Sequence, residues 1–207
     1  EAFAKREAPK PILARKFRRG RIVWVLFVSD IHLGKTVDPD HVAGVNAYSV
    51  KIARSRTREF FEKAAALMKR TGDEVASIVL VCGGDNVNGE LHEDAETNEI
   101  TPAHQVRVVA REIASGVEFL AAEFPDVAID VDVLPGNHGR MRKAPPSARV
   151  TELNFDTLVG DLLEAYLGEI DRITVRVPPD GNSHRLVFAW GLYSHHGDKY
   201  GRGGGDG

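Results

Sequence analysis

Apolar runs that stop abruptly at small clusters of Asp, Asn and His punctuate this chain. Residues 22–28 (Ile-Val-Trp-Val-Leu-Phe-Val) lead into Ser29-Asp30-Ile31-His32, and residues 77–82 lead into Gly83-Gly84-Asp85-Asn86-Val87-Asn88. Residues 127–134 lead into Pro135-Gly136-Asn137-His138, and residues 186–192 lead towards Ser194-His195-His196-Gly197-Asp198. Residues 22–28, apolar throughout, predict a strand buried on both faces. A strand that ends in ligand-type side chains delivers them to the carboxyl edge of a sheet, where open α/β sheets bind their ligands.

Helical periodicity fills the intervals. Residues 50–70 place Phe60, Ala64, Leu67 and Met68 at helical spacing, with Gly72 as the C-cap. Thr101-Pro102 is a helix start, Thr as N-cap and Pro at the first helical position. The helix after it carries Val106, Val109, Ala110, Ile113, Val117, Leu120 and Ala121 on one stripe. A further helix is predicted over residues 156–167, closing near Gly168. Ile173, Val175 and Val177 then alternate with polar residues, the period of a half-exposed strand. Pro178-Pro179-Asp180-Gly181-Asn182 reads as a turn, and residues 185–192 as the strand returning beside it in an antiparallel hairpin. The alternation of strands and helices before that favours a parallel sheet. No internal repeat is present.

The chain has 207 residues, enough for one domain with a sizeable core. No apolar run approaches the ~20 residues of a membrane span, and the first residues lack a signal-peptide core. Cys82 is the only cysteine, which excludes an intrachain disulfide and fits a reducing, cytoplasmic setting. The net charge of −3 hides an uneven distribution. Residues 1–21 hold Lys5, Arg6, Lys10, Arg15, Lys16, Arg18, Arg19 and Arg21 against Glu1 and Glu7. Such an arm is either a solvated linker or a grip on a nucleic-acid backbone. The chain opens on Glu and closes on a Gly-rich segment, so a fragment is expected: a basic arm over residues 1–21, then one domain over residues 22–207.

The four clusters carry the chemistry. On an extended strand end Asp30 and His32 point the same way, so a carboxylate and an imidazole can reach one ion. The glycines before Asp85 permit the tight turn that lifts its carboxylate above the sheet edge. An Asn carbonyl such as that of Asn137 can ligate a metal without adding charge, and the next side chain, His138, can face a substrate. Either His195 or His196 can supply another imidazole. Asp198 either orients one of them or caps its loop. His41, His92, His104 and His184 read as solvated or capping residues, although His92 continues from the Asp85 loop and can line the cleft. Cys82, Trp24 and Trp190 read as core.

In order and type, Asp30-x-His32, Gly84-Asp85-x-x-Asn88, Gly136-Asn137-His138 and His196-Gly197 resemble the motifs of the calcineurin-like metallophosphoesterase superfamily. The resemblance covers about residues 22–198. It implies an α/β fold of the metallophosphoesterase type, a β-sandwich flanked by helices in four αββα layers. It also implies two divalent ions, Mn²⁺ first and Fe, Zn²⁺ or Mg²⁺ as alternatives. Carried over, Asp30 and His32 bind one ion, Asp85 bridges both, and Asn137 and His196 bind the other. His138 contacts the phosphate or protonates the leaving oxygen. Paired ions of this kind, ~3.5–4 Å apart, clamp a phosphate and generate hydroxide near neutral pH.

Three departures qualify the resemblance. Gly139 and Arg140 follow Asn-His where the family usually has an acidic residue. Asn88 stands where Asp is common, in a substrate-facing or supporting place. The closing Gly-His-x-His motif is absent, so the domain is expected to be C-terminally incomplete. The Asn-His-Gly-Arg variant is similar to phosphoesterases encoded by bacteriophages, many of them relatives of SbcD-type DNA nucleases. Arg140 is a candidate phosphate ligand through its forked donors, beside Arg142 and Lys143. The expected activity is metal-dependent hydrolysis of phosphate esters, foremost as a phosphodiesterase or nuclease on DNA. The alternatives are a nucleotide or protein phosphatase of the same fold and a binding scaffold that has lost catalysis. No membrane partner is expected, and oligomeric state is not legible.

Overall fold

A computed structural model describes residues 20–143 and 149–197, except for the side chains of Glu93 and Asp94. Strands β1 (Arg21–Val28), β2 (Glu74–Cys82), β3 (Ala128–Val133) and β4 (Ile173–Arg176) form one parallel sheet in that order. Helices α1 (Val50–Thr71), α2 (Pro102–Glu123) and α3 (Phe155–Leu167) make the crossovers between successive strands. Strands β5 (Ser183–Val187) and β6 (Trp190–Ser194) pair antiparallel as a separate hairpin. The protein is mixed α/β, and no helix among the described residues is long and apolar enough to cross a membrane.

The sheet has two unlike faces. Leu26, Val28, Ile78, Leu80, Cys82, Ile129, Val131 and Val133 point to the helices and join their apolar stripes in the main core. The whole α2 stripe expected from periodicity is buried there. Gly116 in α2 lets the Phe61 ring of α1 lie flat against the helix; a β-carbon would occupy the ring's place. The buried face of α1 is Ala53, Thr57, Phe61, Ala65 and Met68, turned from the expected stripe so that Leu67 is exposed. Two helix starts are capped by side chains: Ser49 accepts from the Ile52 N–H and Asn154 from the Asp156 N–H, whereas at α2 Thr101 takes the N-cap position before Pro102 without a side-chain cap bond. Gly72 closes α1 in the left-handed conformation expected of it, at φ 69°.

The opposite face carries Val79, Val81 and Leu134, with Leu192 of the hairpin packed on them. Buried Asp132 lies between sheet and hairpin. It accepts from Arg176 (3.0 and 3.2 Å) and Arg185 (2.6 and 2.7 Å), and from the Ser183 hydroxyl. Burial pushes the Asp132 carboxyl up, but the hydrogen bonds from Arg185, Arg176 and Ser183 outweigh it and hold the group below the usual carboxylate range. A depressed carboxyl stabilises the fold fully above its unfolded value, about 3.9, and loses that contribution as pH falls through the folded value. The melting temperature is therefore expected to drop on acidification below about pH 4 more steeply in the native protein than in Asp132→Asn. Parallel curves for the two proteins would refute the assignment.

The late part of the chain corrects two expectations. Residues 173–177 do not pair with a strand over 185–192. Ile173, Val175 and Val177 pack on the main core, so this segment becomes the fourth parallel strand against β3. Residues 185–192 are broken by a tight turn at Phe188, whose φ is 54°, and the two halves pair with each other. Trp190 is not core: it sits opposite Val187 beside that turn and is 79% exposed. Trp24 does pack on the core.

Candidate metal centre

Parallel pairing brings the carboxyl ends of β1, β2 and β3 side by side, and the polar clusters start there. The ladder continues beyond the strands: Asp30 N donates to Gly84 O (3.1 Å), His32 N to Asp85 O (2.9 Å) and Leu33 N to Asn86 O (2.9 Å). Leu134 N donates to Cys82 O (2.9 Å), which sets the third turn against the second. Three expected ligands take a backbone conformation that L-residues rarely adopt: Asp30 (φ 56°), His32 (φ 45°) and Asp85 (φ 53°). Only Ala43 and Phe188 share it among the other described non-glycine residues. Strain of this kind costs of order 1–3 kcal/mol per residue and collects at functional sites.

Each imidazole is anchored through one nitrogen. His32 Nδ1 donates to Asn88 Oδ1 (3.2 Å), His138 Nδ1 to Asn88 O (3.3 Å) and His196 Nδ1 to Gly83 O (2.8 Å). Donation from Nδ1 leaves Nε2 with the lone pair, the arrangement of metal-ligating histidines. His196 Nε2 then lies 3.2 Å from Asp85 Oδ2 and 3.0 Å from Asn137 Oδ1. A lone pair facing two oxygens at that range calls for a cation: a proton on the ring or a metal ion among the three groups. Ligand atoms of His32, Asp85 and His138 also lie within 4.8 Å of one another, and Asp30 Oδ1 is 3.7 Å from His32 Nε2. The donor set of imidazole, carboxylate and amide oxygen suits Mn²⁺, Fe or Zn²⁺, so the residues present fit the ions that the sequence implies.

Electrostatics follow the same plan. Burial pushes the Asp85 carboxyl up. The His196 ring, its charge and the His138 N–H at 2.7 Å more than offset this and hold the group below the usual range. Burial drives His138 below the usual imidazole range; the Asp85 charge opposes that, while His32 and His92 add to it. Cys82 is buried on the helix side, and desolvation raises its thiol well above the usual value, so it behaves as a packing residue.

The structure gathers Asp30, His32, Asp85, Asn137, His138 and His196 at one sheet edge. His196, not His195, turns to that edge; the His195 ring lies against Tyr193, 5.5 Å between centroids. Asn88 is fully buried, and its side chain holds His32 and meets Asn98 Oδ1 at 2.9 Å. His92 lines the cleft: its ring stacks on His138 at 3.8 Å and accepts from Asn137 Nδ2 at 3.4 Å. Arg140 follows two residues after His138, its backbone bridged to Asn154. Asp198 and residues 1–19 of the basic arm lie outside the described residues.

Comparison with family models, curated proteins and solved structures returned no match. Behind the cluster stands a support that nothing in the sequence signalled. Asp156, wholly buried at the start of α3, accepts from Asp85 N (3.1 Å), Asn86 N (3.0 Å), Asn86 Nδ2 (2.9 Å) and Gly136 N (3.0 Å). Asn154 Nδ2 donates to Gly136 O (2.8 Å). One helix start thus ties the Asp85 turn to the Asn137–His138 turn. Locally, Asn154-x-Asp156 reads only as a helix cap with an acidic first turn, and nothing nearby in sequence signals its reach. The turns also meet face to face: a β-carbon on Gly84 would lie 2.7 Å from Gly136 N.

Proposed function

We propose that this protein is a metal-dependent phosphoesterase of the metallophosphoesterase type, acting on phosphodiesters of nucleic acid. The observation that carries the reading is the set of three imidazoles anchored through Nδ1 around Asp85, with His196 Nε2 at 3.2 Å from its carboxylate and ligand atoms of His32 and His138 within 4.8 Å of it and of each other. Asp30, His32, Asp85, Asn137 and His196 would hold the ions. When bound, such ions polarise a phosphoryl oxygen and lower the pKa of water.

The chain's own residues supply the rest. Asn88 orients two of the rings, and Asp156 fixes the spacing of the two turns. His138, anchored through Nδ1 on Asn88 O and backed by His92, can take up a proton at Nε2; once protonated there it can contact a phosphoryl oxygen or pass that proton to the leaving oxygen. Arg140 follows in the same loop and supplies a forked cation for a non-bridging phosphate oxygen. Two features favour a diester of nucleic acid over a small monoester: the basic character of residues 1–21 and the open cleft beside Asp30 and His32.

A substrate panel tests this. Protein stripped with EDTA and reloaded with Mn²⁺ is expected to cut labelled single- or double-stranded DNA, and the stripped form is expected to be inert. DNA binding is expected to weaken steeply with salt, about tenfold or more between 50 and 200 mM. Hydrolysis confined to monoesters would overturn the choice of diester, and metal-loaded protein inert on every phosphate ester would overturn the enzyme.

A further inference from the structure

A cavity of about 460 Å³ opens directly beside the candidate metal centre, and Asp30 and His32 form part of its wall. Its size falls within the range of small-ligand pockets, ~300–1,000 Å³. It lies between the carboxyl end of β1 and the first half of α1. The other walls include the rings of Phe27, Tyr48 and Phe60, with the cations of Lys35 and Arg56. Phe27 is 51% exposed although it belongs to a strand, and its ring lies over Gly83, where a β-carbon would come within 2.6 Å of it. The pocket and the Asp85 turn are therefore packed on each other. The Tyr48 hydroxyl donates to Ile31 O between the two candidate ligands, which fixes the ring, and the Arg56 guanidinium stands 5.3 Å from its centroid.

The chemistry of these walls is specific. Flat aromatic faces receive a flat aromatic ligand. A guanidinium over a ring favours a stacked partner with polar edges. Part of the wall is formed by Asp30 and His32, residues that would hold ions against a phosphate. A ligand that suits all three joins an aromatic ring to a phosphoryl group across a short polar spacer. That is a nucleotide.

We propose that this cavity holds an unpaired nucleobase of the substrate, seated so that the adjoining phosphate reaches Asp30 and His32. The inference rests on the phosphoesterase reading and narrows it to single-stranded or frayed nucleic acid. A base in a duplex has its edge paired and its faces stacked, and must leave the helix to enter such a pocket.

The test separates base binding from catalysis. Adenosine 5′-monophosphate and ribose 5-phosphate are titrated calorimetrically into the full chain in EDTA, so that no metal or turnover contributes. Adenosine monophosphate is expected to bind at least about tenfold more tightly than ribose 5-phosphate, within the range of base–aromatic stacking. Phe60→Leu keeps the apolar volume but removes the π face, and Phe27→Ala changes a half-exposed ring, so both should fold. Each is expected to narrow the preference to about threefold or less, with circular dichroism unchanged. Equal binding of the probes, no binding of either at millimolar concentration, or a preference that survives both substitutions would overturn the pocket. The same preparations assayed with Mn²⁺ on DNA keep the two readings apart. Hydrolysis without base preference removes the pocket alone, and base preference without hydrolysis removes the phosphoesterase alone.

Discussion

Asp85→Asn is expected to leave the protein folded and to lower Mn²⁺-dependent hydrolysis by more than about 100-fold. The size follows from its place. Loss of residues that merely support a metal ligand costs about 10–100-fold, and Asp85 is the carboxylate on which His138 N and His196 Nε2 converge. The substitution keeps the oxygen that accepts from His138 N but removes the negative charge that draws cations to the cluster. Retained folding is expected because the backbone N–H of Asp85, not its side chain, is what Asp156 holds. The checks are a thermal melt, Mn²⁺ content after equilibrium dialysis, and the rate of DNA cleavage. A variant that melts like the native protein, binds as much Mn²⁺ and cuts as fast would place the metals elsewhere.

Asp156→Ala is expected to be the most damaging single substitution for folding. Its carboxylate accepts from four N–H groups in an interior without exposed surface. Each donor left without a partner costs ~1–3 kcal/mol. Together these reach ~4–12 kcal/mol, comparable with the ~5–15 kcal/mol that separates a whole domain from its unfolded state. Burial also pushes the Asp156 carboxyl above its usual range, with the Asn86 and Gly136 donors opposing it. Asp156→Asn keeps the shape and one accepting oxygen, and is expected to fold with a lowered melting temperature. Urea denaturation of both variants checks the order. An alanine variant as stable as the native protein would show that the four donors find other partners.

The sequence made the scaffold legible where local pattern decides structure. Residues 22–28 and 77–82 read as strands from their apolar runs, although β1 is not buried on both faces as expected, since Val25 and Phe27 are exposed. Strand β3 interleaves Asp130 and Asp132 with its apolar residues, and α2 announces itself by Thr101-Pro102 and a seven-residue stripe. Legibility fell where a distant partner decides. The turn of α1 towards Phe61 depends on the space over Gly116. The place of β4 depends on its fit to the main core, and the exposure of Trp190 on a turn at Phe188 that no Gly or Asn marks. The candidate ligands were visible because each follows an apolar run. Spacing alone left His195 beside His196, since both lie beyond β6; the resemblance pointed to His196, and the carbonyl of Gly83, 113 residues earlier, holds its ring. Asn154 and Asp156 stayed hidden because a helix cap and a long-range anchor look alike in one dimension.

The anchor at Asp156 divides the chain into parts with very different freedom to change length. The Asp85 turn and the Asn137–His138 turn are spaced by a helix start behind them, and the β1 turn is laced to the Asp85 turn by main-chain bonds. The excursion over residues 38–46 contributes no strand to that frame, and Gly44 at its tip has open space around it. Insertions can accumulate there without moving a ligand, whereas one residue added between Asn154 and Asp156 would misplace two turns together. The centre is in this sense a cassette: a handful of positions fix its geometry, and the chain between them can be rewritten, exchanged or lengthened while the chemistry stays in register.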